Sequence, residues 1–377
     1  MSISENPLYV LGVLCLMVVL SIYAAKTTIG KKLGAALLVI LFTAVIANIG
    51  IIPSASDSIP LYDAIFTYVA PISIFYLLLG VNLRSIRTAG APMIVLFLIG
   101  SLATTLGFLI SWAIISPQDI LGDDGRVLAG MLTGTYTGGS VNFNAVALEY
   151  DFQEKGILYA GTIAVDNVIT TLWIIITIAI PNILRRFWTD KKIGVPQRSD
   201  ESVNGDSMSL QSLSWLLFLG IGAFVITEWF TRIFPAIPSI ITLSTIGILL
   251  AQSRFVSRLK GAHALGLYLV FLFLAVIGAY CELSSVVALK EIGITLLLFA
   301  SLGVLIHGVL VIILGGLVYK DWEMIAIVSQ ANIGGGTTAI ALAETFDRNE
   351  LIVPAIMVGT LGNALGTYLG FLVVYLL

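Results

Sequence analysis

Thr137-Gly138-Gly139-Ser140-Val141-Asn142-Phe143-Asn144-Ala145-Val146-Ala147 recurs 196 residues later as Ile333-Gly334-Gly335-Gly336-Thr337-Thr338-Ala339-Ile340-Ala341-Leu342-Ala343. The correspondence continues without a gap through Asp151/Asp347, Glu154/Glu350, Asn167/Asn363 and Thr171/Thr367, with eight identities in 34 positions. Apolar segments interrupted by glycine at matching places in two halves of a chain mark broken helices, and broken helices form the binding sites of secondary transporters. The chain therefore reads as two related halves, each built around one interrupted segment.

Composition sets the surroundings of that segment. A mean hydropathy of +1.03, with 58% hydrophobic and 11% charged residues, describes a multi-pass membrane protein rather than a soluble domain. The net charge of −3 is spread over loops, with no basic patch to hold nucleic acid. Cys15 and Cys281 are too few and too far apart for a disulfide framework or a metal site, and both read as small hydrophobes. The first apolar run starts near Pro7 without a basic flank or a cleavage site, so it reads as a retained span.

Ten apolar runs are long enough to cross a bilayer: 7–25, 33–53, 61–82, 91–116, 157–181, 211–234, 236–253, 263–283, 290–318 and 352–376. Two further segments, 127–148 and 324–344, carry the Gly-rich motifs. If both enter and leave on one side, Lys and Arg divide 15 to 4 between the cytoplasmic and outer faces; if both cross, they divide 9 to 10. The positive-inside rule favours the first arrangement, with one segment dipping from each side. Each half then has five spans, an odd number, and the second half is inverted. The expected fold is an all-α integral membrane protein of two inverted repeats, each about five transmembrane helices plus one re-entrant Gly-rich segment. The N-terminal repeat is 1–182, the cytoplasmic linker 183–209 (with Arg185, Arg186, Lys191, Lys192, Pro196, Ser199 and Gly205), and the C-terminal repeat 210–377.

The motif itself points to solute binding. Unwound backbone at membrane depth survives only where protein or water satisfies it. Gly138, Gly139, Gly334, Gly335 and Gly336 permit the turns and a close approach of the tips. Thr137, Ser140, Asn142, Asn144, Gln330, Asn332, Thr337 and Thr338 supply neutral donors and acceptors, and the half-helix ends can hold a carboxylate or Na⁺. The alternative reading is that the glycines serve tight helix packing. Asp166 is the only acidic residue well inside an expected span; with Asn167 and its repeat mate Asn363 it is the candidate cation site. His307 reads as a packing histidine or a proton relay, Glu228 and Arg232 as an interfacial ion pair, and Glu149 and Glu344 as solvated.

With these marks, the whole chain resembles the YjcL-like membrane family, a domain-of-unknown-function family grouped with the cation/proton antiporter and anion transporter superfamily. The superfamily includes sodium symporters for glutamate, citrate and bile acids, and the first two have paired re-entrant Gly-Gly segments similar to Gly138-Gly139 and Gly334-Gly335. In its sodium/proton exchangers an Asp-Asp or Asn-Asp pair follows the first broken helix, and Asp166-Asn167 stands in a similar place with the order reversed. No Lys or Arg occupies the middle of the span before the second motif.

The resemblance implies a secondary active transporter in the cell (inner or cytoplasmic) membrane, with symport of a small organic solute (a carboxylate, amino acid or short peptide) coupled to Na⁺. Na⁺/H⁺ exchange through Asp166 is the alternative, and a homodimer is the expected assembly. No cofactor beyond a coupling Na⁺ or H⁺, and no metal beyond sodium, is implied. His-Glu-x-x-His, Gly-x-Ser-x-Gly and a Walker motif are absent, and Tyr150-Asp151 lacks the Gly-x-Gly-Asp partner of an intramembrane protease, so enzymatic activity is not expected.

Overall fold

The computed structural model describes residues 6–28, 30–54, 57–81, 83, 89–193, 209–235, 237–281 and 289–377. The linker positions Pro196, Ser199 and Gly205 lie outside them. Every regular element among the described residues is helical.

The first half comprises α1 (Pro7–Ala24), α2 (Gly30–Asn48), α3 (Pro60–Ala64) running through a π-helical turn (Ile65–Val69) into α4 (Ala70–Leu78), α5 (Ala91–Ile115), the short α6 (Gln118–Leu121), α7 (Asp124–Gly138), α8 (Ser140–Glu149) and α9 (Gly156–Leu184). The second comprises α10 (Leu210–Ile233), α11 (Ser239–Ala251), α12 (Ala262–Ala279), α13 (Leu289–Val318), α14 (Trp322–Ile333), α15 (Gly335–Thr345) and α16 (Ile352–Leu376). Local chemistry fixes several starts. The Asn6 side chain accepts from the backbone N–H of Leu8 and Tyr9 ahead of Pro7, and Asp321 caps α14 through Met324 N.

Among the described residues each of the ten expected spans contains a helix, and eight helical stretches are long and apolar enough to cross a membrane. The other two, Gly34–Asn48 and Ser239–Ala251, are shorter. They fall in α2 and α11, the second helix of each half. The Gly-rich segments are not single rods. α14 and α15 have 12 and 11 residues, or about 18 and about 16.5 Å, well under the roughly 30 Å of hydrocarbon.

The helices form two bundles. α1–α4 pack with α10–α12; α5 and α7–α9 pack with α13–α16. In the second bundle α5 and α13 cross closely because Gly107 faces the Gly303 carbonyl and the backbone N–H of His307. Ser111 Oγ donates to Phe299 O at 2.8 Å in the same crossing. The two bundles meet along α9–α12, α2–α9, α4–α8 and α11–α16, where the Thr245 and Tyr368 hydroxyls stand 2.7 Å apart.

Candidate functional site

Each Gly-rich segment is a helix–break–helix hairpin. At the first break Gly139 has φ 108° and ψ 177°, and at the second Gly335 has φ 77°. A side chain at either place would be strained, which is why glycine stands there. Residues eight apart face each other across both breaks. Gly134 lies against Asn142, and Gln330 Nε2 donates to Thr338 Oγ1 at 3.1 Å. The hairpins meet where Asn332 Nδ2 donates to Thr137 O at 3.4 Å and to Ser101 Oγ at 3.2 Å. Neither α8 nor α15 has a side-chain cap, so their positive dipole ends stay open beside the breaks, while Asn142 N in the first turn of α8 donates to Gly139 O at 3.1 Å.

The hairpins are held by two interfaces of contrasting chemistry. Gly130, Gly134 and Gly138 of α7 run along Gly362, Gly366 and Gly370 of α16. A Cβ on Gly366 would stand 2.6 Å from Gly134 O, one on Gly370 2.7 Å from Gly130 O, and one on Gly138 would collide with the Gly362 backbone. Asn142 clamps this contact: its Oδ1 accepts from Thr367 N at 3.0 Å and Thr367 Oγ1 at 2.8 Å, and its Nδ2 donates to Gly362 O at 3.2 Å.

At the corresponding interface of α14 with α9, the 196-residue register puts Asp166 in place of Gly362, Thr170 in place of Gly366 and Gln330 in place of Gly134. Thr170 Oγ1 donates to Asp166 Oδ1 at 3.5 Å, and Thr177 Oγ1 donates to Gln330 Oε1 at 3.2 Å. The buried Tyr136 hydroxyl interacts electrostatically with Asp166 but makes no hydrogen bond of acceptable geometry. One interface thus packs backbone on backbone, and its counterpart holds polar side chains around a carboxylate.

These contacts sort the expected residues. Thr137 (through its carbonyl), Gln330, Asn332, Gly334, Gly335 and Thr338 gather at the hairpin breaks. Gly336 lies against Gly359 of α16, Ser140 and Thr337 are exposed beside the breaks, and Asn363 Oδ1 is 3.8 Å from where a Gly139 Cβ would sit. Three residues have other work. Asn144 accepts from the Tyr159 hydroxyl between α8 and α9, Asn142 holds α16, and Gly138 serves helix packing. Asn167 lies on α9 beside Asp166, its carbonyl accepting from Thr171 Oγ1 at 2.7 Å. No hydrogen bond joins Asp166 to Asn363.

His307 is a packing histidine. Its Nδ1 lies 3.1 Å from Gly100 O and 2.9 Å from Thr104 Oγ1, and its Nε2 lies 2.9 Å from Ser329 Oγ. Ser329 Oγ also accepts from Trp173 Nε1 at 3.1 Å. With the Nδ1 proton given to the Gly100 carbonyl and Nε2 facing the Ser329 hydroxyl, both ring nitrogens have partners and the side chain links α5, α13 and α14. Sequence reasoning missed Ser101, Thr104, Tyr136, Thr170 and Thr177. The first two sit in Gly100-Ser101-Leu102-Ala103-Thr104-Thr105, a polar stretch inside an apolar span that signals a helix facing protein.

Charges gather at the start of α14. The buried Arg348 guanidinium bonds Asp321 (3.1 Å) and Glu323 (3.1 Å), and also pairs with Glu350. Arg185 joins Glu323 to Asp190, and Lys192 reaches Glu323 at 3.2 Å. Burial alone would push the Glu323 carboxyl up, but hydrogen bonds from Arg185, Arg348 and Lys192 outweigh it and hold the group below the ordinary glutamate range.

The two hairpins differ in how they meet the first bundle. Glu149, at the end of α8, is not simply solvated: its Oε2 accepts from Ser239 Oγ at 3.0 Å and Ile240 N at 3.2 Å, capping α11. Residues Asn142–Ala147 of α8 are buried, whereas α15 buries only Ala339, Leu342 and Ala343 and exposes Thr337, Ala341, Glu344 and Thr345. The first hairpin is closed against the other bundle and the second is open.

Residues 10–377 match a family profile described as "Protein of unknown function (DUF819)". The chain is also 28% identical over 351 residues to "Uncharacterized membrane protein YjcL" of Bacillus subtilis (strain 168), covering 86% of this chain and 85% of the relative.

Proposed function

We propose that this chain, which belongs to the DUF819 family, is a secondary active transporter that carries a small organic solute in symport with Na⁺. One observation carries the reading: two helical hairpins, broken at Gly139 and at Gly334-Gly335, meet through Asn332 and Thr137 beside Asp166, the acidic side chain inside α9. Such a meeting offers a solute free half-helix ends and amides, and offers a cation a carboxylate with hydroxyls around it.

The hairpins enter from opposite faces, and the two halves are inverted repeats. α5, α7–α9 and α13–α16 form the mobile core; α1–α4 and α10–α12 form the scaffold. The Glu149 cap on α11 closes the face of the α8–α9 connection, which the distribution of Lys and Arg makes the outer face, while α15 stays open toward the cytoplasm. The described conformation is then inward-facing, and alternating access exchanges these contacts. The test is uptake into proteoliposomes under an imposed Na⁺ gradient. Solute uptake that needs Na⁺ and is lost in Asn332→Ala supports symport; uptake indifferent to Na⁺ removes it.

Na⁺/H⁺ exchange is the second reading, favoured by Asp166 being the lone acidic side chain inside the α9 span. It predicts proton flux driven by Na⁺ with no solute present.

A further inference from the structure

A cavity lies away from the hairpin breaks, between α3, the π-helical turn, α10 and α11 on one side and the end of α8 with the α8–α9 connection on the other. Its volume of about 620 Å³ falls within the range of small-molecule sites. Its charges are unevenly spread. Asp63, Asp151 and Glu154 interact electrostatically, and partial desolvation of the otherwise exposed Glu154, together with these neighbours, pushes its carboxyl above the ordinary range. Glu149 and Glu228 line the same space, and among the described residues the one basic residue lining it is Arg232. Glu228 and Arg232 stand one helical turn apart on α10 yet form no ion pair, contrary to the sequence expectation.

Polar groups on the walls lack partners. Gln153, 3% exposed, lines the cavity with its Oε1 free of any hydrogen bond. On the opposite wall Thr227, 3% exposed, and Thr231 leave both hydroxyls unpartnered. Buried polar atoms are almost always satisfied, so orphans facing a common cavity point to an absent hydrogen-bonding molecule. The α8–α9 connection offers acceptors from Asp151, Glu154 and Gln153 Oε1, with Asp63 of α3 across from them, while α10 offers two hydroxyls and the Arg232 guanidinium beside Glu228. Phe66, from the π-helical turn, and Phe224 provide apolar surface between them. Among the described residues no group of three His, Cys, Asp or Glu side chains is placed to hold a metal ion. The acidic wall suits an ammonium instead.

We infer that this cavity binds a zwitterionic solute of amino-acid to short-peptide size. Its ammonium sits among Asp63, Asp151, Glu154 and Gln153 Oε1, and its carboxylate toward Arg232, Thr227 and Thr231. The inference deepens the transporter reading, on which it rests for the idea that this is where the solute enters; it narrows the solute class to amino compounds and excludes simple carboxylates.

The experiment is isothermal titration of the full chain in detergent with L-alanyl-L-leucine, its N-acetyl derivative and its C-terminal amide, with L-leucine as the smaller probe. The free dipeptide or leucine should bind saturably. N-acetylation should weaken binding about tenfold or more, the cost of removing a charged hydrogen-bond partner. Glu154→Gln should weaken the free dipeptide while leaving the N-acetyl form unchanged, and Arg232→Gln should do the same for the amide pair. Both residues are exposed, and an unchanged thermal midpoint establishes that the variants fold. No saturable binding by either probe, or equal binding of free and acetylated dipeptide, overturns the assignment. Because no gradient is present, binding without uptake in proteoliposomes would keep this site and remove the transport reading. Na⁺-driven uptake with no such binding would do the reverse.

Discussion

Asp151 and Asp347, 196 residues apart, both hold a left-handed backbone, with φ 51° and 55°. Each follows a hairpin and precedes a short 3-10 turn that leads into a long helix, α9 or α16. The repeat therefore reaches from sequence down to a single unusual torsion, one that Asp tolerates better than most residues. Replacing either by Val, which resists this conformation, should cost about 1–2 kcal/mol at both positions alike. Thermal unfolding in detergent measures it; a loss at only one position would break the equivalence.

The contact of Gly138 with Gly362 leaves no room for a methyl group on either residue. Gly362→Ala should destabilise by about 1–3 kcal/mol through overpacking. Gly12→Ala in α1, where a Cβ would meet nothing within 4 Å, should instead stabilise by about 0.5–1 kcal/mol through helix propensity. Equal midpoints for the two variants would show that the α7–α16 seam is looser than drawn.

This seam also shows where reading the sequence stops. The hairpin breaks were legible because Gly139 and Gly335 recur in one register, and eight of the ten expected spans because hydropathy is a local property. The pairing of Gly130, Gly134 and Gly138 with Gly362, Gly366 and Gly370 joins residues more than 200 positions apart, and periodicity in one helix does not name its partner in another. The four-residue spacing was visible on both helices, but it reads equally as lipid-facing or protein-facing. Asn142 and Asn144 looked like solute ligands for a related reason: an amide's chemistry is evident from sequence, whereas its partners, Thr367 and Tyr159, are set by the fold. The cavity at Gln153 and Thr227 comes from residues scattered over many elements, from α3 to α11, each unremarkable by itself.

Asp166→Asn removes the one carboxylate from the α9–α14 interface while keeping an acceptor for Thr170. Wild type should gain thermal stability in Na⁺ over K⁺ at equal ionic strength, and the variant should lose that difference with little change in its midpoint in K⁺. An undiminished Na⁺ effect in the variant would move the cation elsewhere.

Arg348 neutralises Asp321, which has no solvent exposure, and Glu323. Arg348→Met should cost about 3–5 kcal/mol by leaving buried charge unpaired. Glu323 titrates below its unfolded value, so its contribution is complete above the ordinary glutamate pKa of about 4.3 and is lost as pH falls through the lower folded value. Acid unfolding should set in below about pH 4.3, and Glu323→Gln should flatten that limb of the stability curve. Coincident acid limbs would remove Glu323 from the network's linkage.

The mechanism depends on the hairpins entering from opposite faces. The direct measurement uses a chain lacking Cys15 and Cys281, with a single cysteine at Tyr150 or at Thr345, the exposed ends of the two hairpins. In right-side-out vesicles a membrane-impermeant maleimide should label the cysteine at 150 at once, and the one at 345 only after the membrane is opened. Labelling of both from the same side would contradict the inverted arrangement and, with it, alternating access between these two hairpins.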